Sequence, residues 1–414
     1  MYKMIYDIRD YGAVGDGTTI NTKSIQKAID DCTQNGGGRV LVSGGTYVFG
    51  TIILKENVDL HIAANGILLC SKDCADFPER DDVRHVGSTK LPRWKNACVI
   101  FAEECNNISI SGMGTIDCRG DEFIRPSDTF WMPYERICDD TPSRVVFFTG
   151  CKNVKIVDVT MINQPAGWSY WIHDCDYVTI NGIKIDAKLD YPNNDGIHIN
   201  SSRNVTVSNC LISCGDDCII IRANNSSLPE DKVCEKVTVT NCTLTSHSGG
   251  IRVGWIKDGT IRNCTFSNLV MTDTTVGISV YLPGRGEKRW ADEGREHTLI
   301  ENLLFNNIVM DRGYSFPVYI YVADCDETWC ESIRNLHFSS LHSRGLELPV
   351  IKGRKDCKIK DITFSNCTFE KLCFVENDDK AHHGAIMYDK YEFRSVQIKN
   401  ADVIFNNTKF ITEE

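Results

Sequence analysis

Apolar and polar residues alternate in short runs that recur along most of the chain. Asn107-Ile-Ser-Ile-Ser-Gly, Asn153-Val-Lys-Ile-Val-Asp, Tyr177-Val-Thr-Ile-Asn-Gly, Asn204-Val-Thr-Val-Ser-Asn and Lys236-Val-Thr-Val-Thr-Asn share one form, and later copies begin near Leu299, Asn335, Lys358 and Ser395. A period of two marks a strand with one buried face. The steps from 153 to 177, 204 and 236 are 24, 27 and 32 residues. Such a step is too short for a strand–helix–strand unit with loops, and it fits one coil of a parallel β-helix with three short strands. The period changes near the start. Ile25, Ala28, Ile29 and Cys32 fall at helical spacing, so a helix is predicted from Thr22 to Cys32, capped by Asn21 or Thr22 and ended by Asn35-Gly-Gly-Gly38. That helix would cover the open end of the coil stack. Strands are predicted over Arg39–Val42, Thr46–Phe49 and Val58–Ile62.

A second phrase precedes each repeat: Trp168-Ser-Tyr-Trp-Ile, Asp195-Gly-Ile-His-Ile, Asp217-Cys-Ile-Ile-Ile, Gly249-Gly-Ile-Arg-Val and Val276-Gly-Ile-Ser-Val. Positions three and five should face inward, as in Ile197, Ile219, Ile251 and Ile278. Positions one and four should face outward. Position one then reads Trp168, Asp195, Asp217, Gly249, Val276, and position four reads Trp171, His198, Ile220, Arg252, Ser279. Asp195 and Asp217 would stack on neighbouring turns, roughly 5 Å apart at the backbone, with Asp216 beside them. Strand-like surroundings rarely hold three acids without a use for them.

Composition narrows the picture. The chain has 414 residues, 42% of them apolar and 24% charged, as expected of one globular β-helix domain spanning 1–414. Insert loops are expected near 71–96, 119–142, 283–298 and 375–393; they carry Arg80, Arg84, Trp94, Trp131, Arg285, Lys288, Arg289 and Trp290 and would wall a cleft. A net charge of −11 argues against a non-specific nucleic-acid partner. No run of 18 apolar residues predicts a membrane span. Met1-Tyr-Lys-Met-Ile-Tyr-Asp lacks the apolar stretch of a signal peptide. Taking Met1 as the native start, the expected location is the cytoplasm; with a trimmed N-terminus it is outside the cell.

Twenty cysteines raise the question of disulfides. Cys210, Cys242, Cys264 and Cys367 follow Asn at one phase of the repeat, which reads as an inward ladder of reduced thiols. Pairing stays open for Cys105, Cys151 and Cys175. Asn107, Asn204, Asn241, Asn263 and Asn366 begin Asn-x-Ser/Thr sequons, yet they fall in the repeat's turns and read as turn residues. No Cys/His pattern has ligand spacing, so neither metal nor cofactor is expected.

Acids flanked by aromatics suit a carbohydrate. Glycosidic cleavage needs one carboxylic acid for the leaving oxygen and one carboxylate for water, and crowding three Asp raises at least one pKa. At Asn193-Asn-Asp195 and Gly215-Asp-Asp-Cys218, with supporting blocks at Tyr11–Asp30, Gly112–Asp117 and Arg144–Val154, the chain resembles glycoside hydrolase family 28, the polygalacturonase family. The resemblance implies a right-handed parallel β-helix of the pectin-lyase-like type. It also implies an inverting hydrolase, with Asp216 as general acid and Asp195 with Asp217 as the base pair.

The departures from the family pattern bear on substrate. The family's Gly-His-Gly falls on Ser248-Gly249-Gly250, with His247 and His198 as nearby substitutes. Its Arg-Ile-Lys falls on Ser279-Val280-Tyr281, and a downstream Tyr on Asp324. Rhamnogalacturonan hydrolases of the family also lack that His. The expected substrate is therefore a pectin-derived or related oligosaccharide or polysaccharide other than smooth polygalacturonan; the insert loops and the missing signal peptide favour attack from a chain end. His198, Arg222, Arg252, Trp168, Trp171, Tyr281 and His247 are the candidate substrate-binding residues. Plainer roles compete: Trp168 and Trp171 as packing, Arg252 as a partner of the acids, Arg222 as a salt bridge to Asp217. The rival functions are a β-helix lyase or epimerase with an Arg or Lys base and Ca²⁺ on Asp, a non-catalytic glycan-binding module, and a structural β-helix.

Overall fold

The structure is a computed structural model that describes residues 4–78, 97–127, 133–137, 141–165, 167–255, 257–283, 298–324, 328–373 and 395–412. It is a right-handed parallel β-helix with a helix near its start. Within each coil the alternating segments form the strands. One coil runs Asp176–Asn181, Lys184–Asp186 and Ile197–Asn200; the next runs Arg203–Ser208, Leu211–Cys214 and Ile219–Arg222. Further along, the first two strands of a coil merge into one bent strand, as in Cys234–Ser246 and Thr260–Thr272. The third strands of successive coils make a sheet of eleven parallel strands among the described residues.

The register of that sheet is the predicted one. Tyr170, Ile197, Ile219, Ile251 and Ile278 lie on one inward rung, and Trp171, His198, Ile220, Arg252 and Ser279 on one outward rung. Backbone bonds carry the ladder past the strand ends. Ser169 N–H donates to Asp195 O, Gly196 N–H to Asp217 O, and Cys218 N–H to Gly249 O, at 2.9, 2.9 and 2.8 Å. Asp195, Asp217 and Gly249 are thus true neighbours on adjacent coils. Gly196 is required there, because a Cβ would stand 2.2 Å from Cys218 O.

Aliphatic rungs fill the tube, and a column of phenylalanines continues them. Phe266, Phe305, Phe338, Phe364 and Phe405 stack with centroids 4.7, 4.8, 4.6 and 5.1 Å apart, close to the strand spacing. Cys210, Cys242, Cys264 and Cys367 are buried free thiols, as expected. Cys105, Cys151 and Cys175 are unpaired as well, while Cys330 and Cys357, which no repeat pattern singled out, form a disulfide. The sequon asparagines Asn107, Asn204, Asn241, Asn263 and Asn366 all adopt positive φ, between 54° and 57°. Their amides run along the turns, Asn107 to Asn57 at 2.8 Å and Asn153 to Asn107 at 2.7 Å.

The helix Thr22–Gln34 buries Ile25, Ala28, Ile29 and Cys32 against the first strands. Its cap differs from expectation. The Asn21 side chain makes no capping bond; its Oδ1 accepts from Val14 N–H at 2.7 Å, and Thr22 Oγ1 accepts from Gly50 N–H at 2.7 Å. Both side chains tie the helix to the preceding loop and the first coils, a stronger demand than one free helical N–H. The predicted inserts at 283–298 and 375–393 fall almost wholly outside the described residues, as do Arg80, Arg84, Trp94, Trp131, Arg285, Lys288, Arg289 and Trp290. The insert at 119–142 is described in part. Ile124–Pro126 and Tyr134–Arg136 form an antiparallel hairpin.

Candidate active site

The site lies on the outer face of the eleven-stranded sheet, where two loops meet. Asn193 takes a left-handed turn, φ 53°, that sends the chain into Asn194 and Asp195. Asn194 is fully buried and works as a clamp. Its Oδ1 accepts from Gly215 N–H at 2.7 Å and Asp216 N–H at 3.2 Å, while its Nδ2 donates to Lys188 O at 2.7 Å. Asn193 Nδ2 donates to Asp216 Oδ2 at 3.2 Å. Ser246 Oγ donates to Asp216 O at 2.6 Å from the next coil. The coils on either side therefore hold the Asp216 backbone between them.

The three acids come together as predicted. One carboxylate oxygen from each of Asp195, Asp216 and Asp217 lies within 4.8 Å of the others. Their residues are 2%, 9% and 0% exposed, so Asp216 is the most open of the three. Among the described residues this is the one cluster of donor atoms close enough for a metal. Arg252 already supplies positive charge at Asp217, with Nη1 2.6 Å from Oδ2.

The two outer acids have different partners. Asp195 Oδ2 meets His198 Nε2 at 2.9 Å, and its Oδ1 has no hydrogen-bond partner. Burial, then Asp216 and Asp217, push the Asp195 carboxyl well above the usual range. Burial, then Arg252, Arg144 and Arg222, push His198 well below its ordinary value, so the imidazole is neutral. Asp217 Oδ1 accepts from Ser248 Oγ at 3.1 Å. Burial raises Asp217 to about 6, with Arg252 opposing the rise and Asp216 adding to it.

The predicted substrate-binding residues have protein partners of their own. Trp168 is half-buried and packed between two protein groups. The Arg144 guanidinium lies 3.6 Å from its ring centroid and the His198 ring 3.8 Å away, nearly parallel. Two groups that close cannot share one face of a ring, so both faces are taken. Trp171 is buried, stacked on Phe147 at 4.6 Å and on His173 at 5.5 Å. Arg222 pairs with Asp258, not Asp217, through two bonds of 2.7 and 2.8 Å. The His247 ring meets Asp190 at 3.4 Å, on the loop that leads to Asn193. Tyr281 is buried in an outer aromatic cluster with Trp255, Phe316 and Tyr319. Ser279 is fully buried, and Asp324 is exposed just beyond the strand Val318–Val322. Of the seven candidates, His198 and Arg252 are the two whose bonds to the acid triplet are described.

Arg144, Trp255, Asp258 and the clamp role of Asn194 escaped the sequence reading. Arg144 pairs with Trp168 in the ladder, so the position-one rung extended one coil earlier would have found it. Asp258 and Trp255 sit in an irregular stretch with no periodic signal. The hairpin insert also reaches this loop. Tyr191 Oη and Lys188 Nζ both bond Asp121 Oδ1 at 2.6 Å, and Tyr134 packs edge-on to Tyr191 at 5.0 Å.

The model described as glycosyl hydrolases family 28 matches residues 83–368, and one described as rhamnogalacturonase A/epimerase, pectate lyase-like, matches residues 5–115. A probable polygalacturonase of Vitis vinifera is 25% identical over 279 residues, which is 66% of this chain and 55% of that protein. The chain thus spans about half the length of that relative. An exopolygalacturonase of Zea mays is 24% identical over 331 residues, 73% of this chain and 76% of that one. Among solved structures, a hyperthermoactive exopolygalacturonase from Thermotoga maritima superposes with a TM-score of 0.77 at 21% identity, covering 98% of this chain and 91% of the other.

Proposed function

The chain belongs to glycosyl hydrolases family 28, and on that footing we propose that it hydrolyses glycosidic bonds of a pectin-derived or related oligosaccharide. The observation that carries the reading is the triplet Asp195, Asp216 and Asp217, crowded on one buried face. Asp216 is the acid that protonates the leaving oxygen, being the most open of the three. Asp195 and Asp217 flank it; Asp217, held charged against Arg252, is the group that activates water, and Asp195 keeps its proton beside it. Inversion at the anomeric carbon rests on the family resemblance. The carboxylates stand closer than the ~6.5–9.5 Å of most inverting pairs, so the anomer of the first product is the deciding observation.

The substrate reading follows from charge. Ser279 and Tyr281 stand where the family resemblance puts cations for a galacturonate carboxylate. Arg222 is engaged by Asp258 and Arg252 by Asp217. A uronate would lose charge-assisted bonds at this place, each about twice as strong as a neutral one. A neutral or differently substituted sugar is the better fit. Attack from a chain end is supported by the hairpin insert folded onto the Tyr191 loop, and by the exopolygalacturonase among similar structures. The lyase reading is disfavoured, because an Arg252 ion-paired at 2.6 Å keeps its proton and is no base.

The test is hydrolysis of galacturonan, rhamnogalacturonan and neutral α-linked oligomers by wild type and Asp216→Asn, with product anomers read by NMR. Inverted monomer or dimer released from one substrate, with a loss of about 10²–10⁴ in the variant, is the expected result. Binding without turnover, unchanged in the variant, would replace the hydrolase with a glycan-binding module. An absorbance rise from an unsaturated uronate would replace it with a lyase.

A further inference from the structure

We infer that Arg252 is the positioning residue that holds Asp217, whose carboxylate the bare backbone of Gly249 admits, in place as the charged carboxylate of the triplet. What that charge is used for rests on the hydrolase reading above; the pairing itself rests on geometry.

Arg252 and Asp217 are 6% and 0% exposed, with 2.6 Å between Nη1 and Oδ2. A charge so buried persists only with a partner. Ser248 Oγ fixes the other oxygen at 3.1 Å, and Trp255 lies under the guanidinium at 4.5 Å, which limits its swing. Gly249 leaves the room. A Cβ there would stand 2.4 Å from Asp217 Oδ1. Any side chain at 249, including the histidine that the family resemblance puts there, would push the carboxylate off this seat. Arg252 reaches across from the next coil, beside the apolar Ile220. The groups that face Asp217 are Asp216 on its own loop, Asp195 (with neutral His198 behind it) on the coil before, and Ser248 and Arg252 on the coil after. Asp216 opposes its ionisation, and Arg252 favours it.

Two readouts test the assignment. The first needs no substrate: melting temperatures of wild type, Arg252→Gln, Arg252→Lys and Asp217→Asn/Arg252→Gln at pH 5 and pH 8. Without its partner, Asp217 escapes at pH 5 by taking a proton, but at pH 8 it must stay charged or pay for protonation. The loss in Arg252→Gln should therefore be larger at pH 8, small in Arg252→Lys, and reversed in the double variant. Equal losses at both pH values, not relieved by Asp217→Asn, overturn the inference. The second readout is the pH profile of kcat/KM on whichever oligomer wild type cleaves. The acid limb should move up by about one pH unit or more in Arg252→Gln. A lower plateau with an unmoved limb marks a merely structural arginine and also overturns it. If no oligomer in the panel is cleaved, the hydrolase reading fails, while the melting comparison still decides the ion pair.

Discussion

Two successive coils open their third strands with the same phrase, Asp-x-Ile-x-Ile, and treat the aspartate in opposite ways. On the first coil, His198 stands three residues after Asp195 and bonds it, a neutral group beside an acid that resists ionisation. On the second, Ile220 occupies that place. Asp217 takes its partners from the following coil instead, a hydroxyl from Ser248 and a guanidinium from Arg252. The backbone is the same in both. What differs is the occupant of position four on the strand itself and on its neighbour. In a stacked fold, one residue at a rung decides both its own strand's chemistry and that of the coil below it.

The sharpest way to break this contrast is Gly249→His. The new side chain must evict the Asp217 carboxylate, and misplacing a reacting group by about 1 Å costs on the order of 10²-fold in rate. Kinetics on the cleaved oligomer should show at least that loss, with a lower melting temperature beside it because the buried Arg252 loses its partner. Adding Asp217→Asn should cost little more, because both changes remove the same group.

Asp195→Asn probes the other coil through stability. Asp195 holds its proton more tightly folded than unfolded, where its pKa is about 3.9. Wild type is therefore penalised increasingly as pH rises above about 4, until the folded group ionises. The amide carries no such penalty. Its melting temperature should exceed wild type at pH 8, with the gain fading as pH falls towards 4; a constant difference would contradict the assigned direction.

Trp168→Leu removes the slab between Arg144 and His198. A loss of about 1–3 kcal/mol is expected in denaturant unfolding, with KM little changed, since neither face meets substrate. A selective rise in KM would restore sugar stacking. The smallest effect belongs to the turns. Asn302→Ala breaks two ladder bonds, to Asn263 at 3.1 Å and from Asn335 at 2.6 Å. The cost should be about 1 kcal/mol at this exposed site.

The coil architecture was legible because its signal is periodic. Ile197, Ile219, Ile251 and Ile278 could be aligned from sequence, and burial on one face leaves a strand no freedom to slip by a residue. The acids were legible for the same reason, since the rungs that place the isoleucines inside place Asp195 and Asp217 outside. Partners were harder. Whether Trp168 offers a free face depends on Arg144 one coil away, and whether Arg222 is free depends on Asp258 in an irregular loop. Such side-chain reach is not periodic. The Asn21 cap failed similarly, because a backbone donor at Val14, distant in the helix pattern, won the side chain.

Unequal steps of 24, 27 and 32 residues between coils with an unbroken register carry a lesson for how such a gene can change. Length varies freely in the turns, where an added residue only lengthens a loop. A single-codon deletion inside Asp217-Cys218-Ile219 would exchange the faces of the strand, sending an acid into the aliphatic tube and an isoleucine to the surface. Insertions and deletions in descendants of this chain should therefore collect between rungs. The chemistry on the rungs should drift by substitution alone.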